Sequence, residues 1–306
     1  MAQISQVIPP TKVFLDVFLL LCVGFPILFL FLWAQPYERG FFCNDESLMH
    51  PYHESTVPSI YLYIVGLGMN CIVMILTEFL THPRDTQVKC FGRTIPSWAW
   101  KSYCVIGVFG FGAACSQLTT DVMKYTVGRL RPHFLTVCRP DIDCTLAANQ
   151  HKFHEYFKCS NSDFMNNRRI MKEMRLSFPS GHSSFSMYTM VYFAIYLQSR
   201  MTWNGSKLLR HALQFIAVLA AIFTGMTRIS DYKHHWSDVL AGFSIGAVVA
   251  IVVTKWFKVQ GFEWNSELEF IEKTSLGSDV KSTDKFKAGV LIRNDQAGNG
   301  DQIFEA

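Results

Sequence analysis

Two histidines in distant parts of the chain stand beside residues that favour nucleophilic and acid–base chemistry. His234 precedes Asp238 by four residues, so on a helix the carboxylate can reach the imidazole and keep one ring nitrogen protonated. The other nitrogen is then free to attack, because a ring with an ordinary pKa of about 6.5 is neutral near pH 7. His182 can protonate a leaving alkoxide, a role worth roughly 10²–10⁴ in rate. His235 has valine four residues ahead, so His234 is the predicted nucleophile.

Three cations accompany the histidines. Lys124 and Arg131 are seven residues apart, which puts both on one face of a helix that Pro132 then ends. Arg228 follows later in the chain, and a planar guanidinium can bind two oxygens of one phosphate. Any one of these cations could simply flank a membrane. Because chain topology brings all three to one place, we interpret them as a phosphate-binding set.

Ser180 and Gly181 precede the segment that carries His182. At the start of a helix, free backbone N–H groups and the helix dipole favour a bound anion. Gly181 lets the backbone approach that anion closely, and Ser180 adds a hydroxyl donor. The motif 179–182 is a weak signal alone, and its value lies in its position in the chain.

Six apolar segments must position these residues. Half of the 306 residues are hydrophobic and only 17% are charged, a balance too apolar for an ordinary soluble domain of this length. A helix needs roughly 20 apolar residues to cross a membrane. The sequence therefore predicts an all-α membrane protein, a six-transmembrane-helix bundle. The predicted spans are residues 13–33, 57–80, 99–119, 183–198, 212–226 and 239–257.

The alternation of loops places the motifs on one side of the membrane, at the ends of helices 3 to 6. Short loops on the opposite face carry six basic residues, whereas the short first loop carries one. The positive-inside rule therefore predicts cytosolic termini and a non-cytosolic active site. The long third loop is also basic, but long loops translocate largely regardless of charge. The six basic residues are Arg84, Lys89, Arg93, Arg200, Lys207 and Arg210.

The composition changes after the sixth segment to mixed charge with Ser, Gly and Asn. We predict one membrane domain over residues 1–257 and a polar, disordered cytosolic tail over 258–306. Gly242 and Gly246 form a Gly-x-x-x-Gly pair at the start of the sixth span. Packing inside the bundle is favoured over dimerisation, and a homo-oligomer stays open.

Four of the nine cysteines fall in the predicted outer loops. Cys43, Cys138, Cys144 and Cys159 permit two disulfides in three connectivities, among which the sequence does not choose. Four free thiols are the alternative.

Three ordered motifs carry a resemblance to a known family. Lys-x6-Arg-Pro begins at Lys124, Pro-Ser-Gly-His ends at His182, and Arg-x5-His-x3-Asp begins at Arg228 and ends at Asp238. Together they resemble the type 2 phosphatidic acid phosphatase superfamily. The first loop, residues 39–47, and the stretch 228–238 look like those of the animal lipid phosphate phosphatases. The resemblance covers about residues 10–257.

This resemblance implies a plasma-membrane ectoenzyme that hydrolyses phosphatidate, lysophosphatidate, sphingosine 1-phosphate and ceramide 1-phosphate. It implies a phosphohistidine at His234, oriented by Asp238, with His182 as the acid and no metal or other cofactor. The implied partners are these phospholipid and sphingolipid phosphates, and no nucleic acid. Vanadate is expected to inhibit as a mimic of five-coordinate phosphorus. The implied phosphate-binding residues are Lys124, Arg131, Ser180, Gly181, His182 and Arg228.

Two positions depart from the family pattern. The third motif opens with Thr227 where serine is usual, a change that preserves the hydroxyl. Many animal members carry an Asn-Cys-Ser glycosylation site in the third loop, where this chain has Asp143 before Cys144 and Thr145. The sequon at residues 204–206 falls in a loop predicted to be cytosolic, which puts glycosylation in doubt.

Several rival functions share parts of these patterns. Asp141, Asp143 and Thr145 fit the Asp-x-Asp-x-Thr motif of magnesium-dependent phosphatases, but that motif requires a preceding buried strand of an α/β sheet. A lipid phosphotransferase could use the same histidine and pass the phosphate to an alcohol. A catalytically inactive lipid-binding relative is disfavoured by the intact set of residues, and a haloperoxidase by the six spans.

Overall fold

Helices make up most of the structure, a computed structural model that describes residues 3–81, 86–201 and 207–256. The predicted tail 258–306, the sequon at 204–206 and Arg84 lie outside these residues. The second helix contains a π-helical segment, Ile64–Met69, and a 3-10 turn spans Glu46–Leu48. The helices are Pro10–Leu32 (α1), Ser59–Thr81 (α2), Ser97–Val127 (α3), Phe134–Cys138 (α4), Ala147–Gln150 (α5), Ser162–Met165 (α6), Arg168–Glu173 (α7), Gly181–Arg200 (α8), Lys207–Ser230 (α9) and Trp236–Trp256 (α10).

Five of the described helices are long and apolar enough to cross a membrane, namely α1, α2, α3, α9 and α10. They match predicted spans one, two, three, five and six, and α3 extends about two turns beyond its predicted end. The predicted fourth span is α8, a 20-residue helix that is less apolar. The prediction of a helical, multi-pass membrane bundle is confirmed, whereas the count of six spans stays a prediction.

The low apolar content of α8 follows from its central position. Three tyrosines, four residues apart, lie on one face of this helix and are almost fully buried. A buried hydroxyl needs a hydrogen-bond partner, and each finds a backbone carbonyl on a neighbouring helix. The pairs are Tyr188 to Phe109 (2.7 Å), Tyr192 to Val105 (3.2 Å) and Tyr196 to Met74 (3.3 Å).

Gly242 and Gly246 pack α10 directly against α8. A Cβ atom at Gly242 would lie 2.6 Å from the carbonyl oxygen of Ser180, and one at Gly246 would lie 2.8 Å from the backbone nitrogen of Tyr188. Both distances are too short for a real side chain. The predicted packing inside the bundle is therefore confirmed.

Replacing Gly246 with alanine should destabilise the bundle by roughly 1–3 kcal/mol, because the new methyl group meets backbone that cannot move aside. Gly110→Ala is the matched control, since a Cβ atom there has no neighbour within 4 Å. Thermal unfolding in one detergent measures both variants. Equal midpoints for Gly246→Ala and Gly110→Ala would contradict this packing.

Five short strands lie in the loops and qualify the all-α prediction. The strands are Gln3–Ile8 (β1), Phe41–Phe42 (β2), Thr86–Cys90 (β3), Arg93–Pro96 (β4) and Phe153–His154 (β5). The pairings of β1 with β3 and of β2 with β5 join segments distant in sequence, which no local pattern reveals. At the end of the bundle where α3 begins, β1 pairs parallel with β3, and β3 antiparallel with β4.

The first and third loops form one cap over the other end of the bundle. Two disulfides, Cys43–Cys144 and Cys138–Cys159, hold this cap together, so the two predicted bridges are present and their connectivity is assigned. Strand β2 pairs antiparallel with β5 across the two loops. Beneath them lies an apolar cluster that includes Phe134 and Met174. The cap gives the residues that follow α3 and precede α8 a rigid support.

Candidate active site

The first turn of α8 carries the predicted Ser-Gly-His motif. Ser180 caps the helix, because its side-chain oxygen accepts hydrogen bonds from the backbone N–H and the hydroxyl of Ser183, at 3.4 Å and 3.0 Å. The backbone N–H groups of Gly181 and His182 have no acceptor in the part of the chain that the structure describes. Two free donors at the positive end of a long helix meet the requirements of an anion site.

Lys124 lies against the backbone of Gly181. A Cβ atom at Gly181 would lie 2.8 Å from the Lys124 ammonium nitrogen, so glycine is needed for this approach. Lys124 occupies the last turn of α3. The ammonium makes no hydrogen bond or ion pair with any described residue, and its charge is available to an anion at the start of α8.

Arg131 does not share a helix with Lys124, contrary to the prediction. Helix α3 ends at Val127 because Gly128 takes a left-handed conformation, with φ of 56°. Arg131 reaches the site from the following loop, anchored by a hydrogen bond from its backbone N–H to the carbonyl of Met174 (2.9 Å). Its guanidinium lies 3.8 Å from the Glu173 carboxylate, and burial lowers its pKa.

Arg228 is the third cation, and 1% of its surface is exposed. It lies in the last turn of α9, and its NH2 group donates to the Asp231 carboxylate (2.8 Å) and to the Thr227 hydroxyl (3.2 Å). The Thr227 departure from the family serine thus keeps a hydroxyl beside the arginine. The backbone carbonyl of Arg228 accepts hydrogen bonds from the N–H groups of Lys233 and His234.

One tautomer of His234 is fixed by its surroundings. Its Nδ1 atom lies 2.7 Å from the backbone carbonyl oxygen of Ser177. A carbonyl oxygen only accepts, so Nδ1 carries the proton and Nε2 carries the free lone pair. Burial lowers the pKa of His234 to about 4, although Asp238 acts in the opposite direction. The ring is therefore neutral near pH 7, as a nucleophile must be.

Asp238 does not bond directly to His234, which corrects the helical-spacing argument. Helix α10 begins at Trp236, after the histidine, and the Asp238 carboxylate lies 3.8 Å from His234 Nδ1. This carboxylate instead accepts from the Ser177 hydroxyl (2.6 Å) and from Arg129 (2.6 Å). Asp238 therefore acts through Ser177, whose carbonyl holds the His234 ring.

His235 is closer to Asp238 than His234 is. Its Nδ1 atom lies 3.2 Å from the Asp238 carboxylate, so the argument that it lacks an acidic partner is wrong. Helical spacing assigned the wrong histidine to Asp238, because the residues before Trp236 are not helical. What distinguishes His234 is the Ser177 carbonyl, which fixes its tautomer.

Arg129 and Ser177 were missed by the sequence reasoning. Arg129 donates to the Ser237 hydroxyl (2.8 Å) as well as to Asp238, and Ser177 contacts both Asp238 and His234. Their only signal was position, since Arg129 lies inside the motif 124–132 and Ser177 lies two residues before Pro179.

Three buried nitrogens of the predicted site have no hydrogen-bond partner. They are Nε of Arg131, Nε of Arg228 and Nε2 of His182. An unsatisfied buried polar group costs roughly 1–3 kcal/mol, so three in one region can be stabilised by a ligand that supplies hydrogen-bond partners. Burial, and after it the charge of Arg228, lowers the pKa of His182 to about 2, so this ring is neutral near pH 7 until a phosphate dianion lies beside it. Donors of this kind suit an anion with several oxygens.

The rival magnesium-dependent motif lies away from this region, in the cap. Asp143 accepts from the backbone N–H of Thr145 (2.9 Å) and from its hydroxyl (2.6 Å), in an exposed loop. The preceding segment forms only an isolated bridge at Pro140, so the buried strand that the motif requires is absent here. Among the described residues, no group of three or more His, Cys, Asp or Glu side chains could hold a metal ion. Metal independence stays a prediction.

Acid should destabilise the fold between about pH 6.5 and 4, because buried imidazoles, His133 and His234 among them, resist protonation. Burial lowers the pKa of His133 to about 3 and that of His234 to about 4, against about 6.5 when unfolded. Below pH 6.5 the unfolded state takes up protons first, which costs up to about 1.4 kcal/mol per pH unit for each ring. Thermal midpoints across this range measure the slope, and His133→Asn should reduce it. An unchanged slope in that variant would contradict the assignment.

Comparison with known proteins agrees with the fold and the motifs. The sequence profile described as the PAP2 superfamily matches residues 105–262. The chain belongs to this superfamily. Phospholipid phosphatase 1 of Rattus norvegicus is 43% identical over 277 residues, which cover 86% of this chain and 92% of that protein. Phospholipid phosphatase 2 of Homo sapiens is 41% identical over 241 residues, which cover 78% of this chain and 80% of that protein.

Two further proteins are similar to this chain. A Drosophila melanogaster protein is 49% identical over 259 residues, which cover 80% of this chain and 68% of that protein. A solved transmembrane PAP2 type phosphatidylglycerolphosphate phosphatase from Bacillus subtilis aligns with a TM-score of 0.38 at 18% identity. The alignment covers 81% of this chain and 94% of that one.

Proposed function

We propose that this protein is a lipid phosphate phosphatase that uses His234 as its nucleophile and needs no metal. The observation that carries the proposal is the juxtaposition of a neutral, tautomer-fixed imidazole with three cations, two of which have buried donors lacking a partner. The proposed substrates are phosphatidate, lysophosphatidate, sphingosine 1-phosphate and ceramide 1-phosphate. The relatives named as phospholipid phosphatases support a lipid phosphate monoester as substrate.

Binding uses the charges and free donors of the site. The phosphate oxygens are bound by Lys124, Arg131 and Arg228, together with the free N–H groups at the start of α8. Donors that are already in place cost no reorganisation when charge develops on the phosphoryl oxygens in the transition state. Gly181 allows the Lys124 ammonium to lie against the backbone here, because a side chain at this position would displace it.

The first chemical step forms a phosphohistidine. The lone pair on His234 Nε2 attacks phosphorus, and the bond from phosphorus to the lipid oxygen breaks. His182, which is protonated once the phosphate dianion lies beside it, donates a proton to that oxygen, so the lipid leaves as a neutral alcohol. The Ser177 carbonyl holds the Nδ1 proton throughout, and Asp238 keeps Ser177 in place.

The second step returns the enzyme to its starting state. A water molecule attacks phosphorus, His182 accepts a proton from it, and the bond between phosphorus and His234 breaks. Inorganic phosphate is released. If an alcohol replaced water at this stage, the same residues would act as a phosphotransferase.

The basic residues of the short loops support a cytosolic position for both termini. We therefore propose that the site faces the exterior or a lumen, and that the protein resides in the plasma membrane. Two disulfides in the cap agree with an oxidising compartment on that side.

Phosphate release from a panel of lipid phosphates, measured on the purified chain with EDTA, tests the proposal. We expect release of phosphate and of the free lipid alcohol, unchanged by EDTA and inhibited by vanadate. No release from any lipid would favour an inactive relative, and release that EDTA abolishes would favour metal chemistry. Transfer of phosphate to an added lipid alcohol would favour the phosphotransferase.

A further inference from the structure

A carboxylate beside Arg228 links the site to the first outer loop. The Asp231 carboxylate accepts from the Arg228 guanidinium at 2.8 Å, and 6% of Asp231 is exposed. The same carboxylate accepts from the backbone N–H of Thr56 (2.8 Å) and from the Thr56 hydroxyl (2.6 Å). Thr56 is 175 residues away in sequence, so this contact joins two separate parts of the chain.

We propose that Asp231 and Thr56 are positioning residues that hold the Arg228 guanidinium for phosphate binding. This inference rests on the proposed function. Asp231 engages only the NH2 end of the guanidinium, while Nε stays buried without a partner. This carboxylate thus holds one end of the guanidinium and leaves donors of the same group for phosphate oxygens.

Thr56 has the geometry of a clamp for the carboxylate. Its N–H and hydroxyl bind the two oxygens of Asp231 separately, so the carboxylate cannot rotate about its last bond without losing one of them. Thr56 itself is exposed. Its hydroxyl can therefore be removed without opening a cavity in the core.

The segment between Arg228 and His234 connects this clamp to the nucleophile. The Asp231 backbone N–H donates to the Thr227 carbonyl at 2.9 Å, and the His234 N–H donates to the Arg228 carbonyl at 3.2 Å. Tyr232, in a left-handed conformation, stacks on His50 with ring centroids 4.4 Å apart. The first outer loop therefore contacts this segment at two points, and the orientation of Arg228 relative to His234 depends on it.

The experiment measures kcat and KM for phosphatidate hydrolysis by the full chain carrying Asp231→Asn, Thr56→Val or Thr56→Ser. We expect kcat/KM to fall roughly 10–100-fold in Asp231→Asn, which loses the ion pair with Arg228, and roughly 3–10-fold in Thr56→Val, which keeps that ion pair and loses one donor to the carboxylate. Thr56→Ser, which keeps the hydroxyl, should restore activity to near the wild-type value. If Asp231→Asn fails to fold, Thr56→Val and its serine rescue decide the matter.

Asp143 and Thr145 provide matched controls. Asp143 accepts from the N–H and hydroxyl of Thr145 at 2.9 Å and 2.6 Å, the same two kinds of donor as at Asp231 but on a single oxygen, in the cap and without an arginine. Asp143→Asn and Thr145→Val should keep wild-type kcat/KM. A loss in these controls equal to that in the Asp231 and Thr56 variants would overturn the positioning role.

A double-mutant cycle shows whether Asp231 acts through Arg228. In an Arg228→Ala background, Asp231→Asn should change kcat/KM by less than about 3-fold, because the group it positions is gone. An equal loss in both backgrounds would overturn the proposal. So would wild-type activity in both Asp231→Asn and Thr56→Val.

Vanadate binding separates this inference from the proposed function. Vanadate should raise the thermal midpoint of the wild type more than that of Asp231→Asn, without any need for turnover. If the wild type hydrolyses no lipid phosphate but shows this difference, the proposed function fails and the positioning role stands. If lipid phosphates are hydrolysed and vanadate stabilises both proteins equally, the positioning role fails alone.

Discussion

Replacement of His234 with alanine is expected to reduce phosphate release by at least roughly 10³-fold, because it removes the ring that forms the covalent intermediate. The fold should survive in the variant, because Ser177 still bonds to Asp238 when the ring is absent. Initial rates with phosphatidate, normalised to the amount of folded protein, measure the effect.

His235→Ala is the matched control for this prediction, since both rings are buried near the same carboxylate. Loss of the His235 contact with Asp238 should cost about 10-fold or less, the effect of one hydrogen bond. The reverse order, an active His234→Ala and an inactive His235→Ala, would transfer the nucleophile to His235. The contact between the Ser177 carbonyl and His234 would then play no part in catalysis.

The second large effect is expected at His182, and it should depend on the leaving group. His182→Asn removes the acid that protonates the departing lipid alkoxide, which should lower kcat by roughly 10²–10⁴-fold with phosphatidate. A nitrophenyl phosphate releases a much less basic oxygen and needs little protonation. The same variant should therefore lose far less activity with that substrate.

Comparison of the two substrates distinguishes the loss of an acid from a general distortion of the site in His182→Asn. A distorted site would lower both rates by a similar factor, and that outcome would contradict the role of His182 as the acid. The unpartnered Nε2 atom is the structural basis of the prediction, because it has no other bond in the described residues to lose.

The sequence predicted the membrane bundle well because the physical signal is local and strong. A run of apolar residues long enough to cross a membrane can be recognised without knowledge of its neighbours. Span α8 is the exception, since its polar hydroxyls are tolerated only because carbonyls of other helices accept their hydrogen bonds. That compensation is tertiary and cannot be read from the segment itself.

The alternation of the loops predicts that the residues of the site lie on one side of the bundle, but it does not predict which of them are in contact. Spacing rules assumed a continuous helix through Lys124 and Arg131, and another through His234 and Asp238. Gly128 ends the first helix early, and the second begins only at Trp236. Each rule therefore identified a residue of the predicted site and assigned it the wrong neighbour.

The partners that replaced those neighbours come from distant segments. Ser177 holds His234 and Arg129 holds Asp238, across separations of 57 and 109 residues. Asp231 and Thr56 are further apart still. One sequence gives no measure of such pairings, because they depend on how the cap folds over the helix ends.

The central claim is that phosphate is transferred to His234 itself. The direct measurement is to mix the protein with phosphatidate labelled in its phosphate, quench in alkali during turnover, and identify the labelled residue by mass spectrometry. We predict label on His234 that is stable in alkali, lost in acid and absent from His234→Ala. Label on His235, or on a carboxylate such as Asp141, would contradict the account.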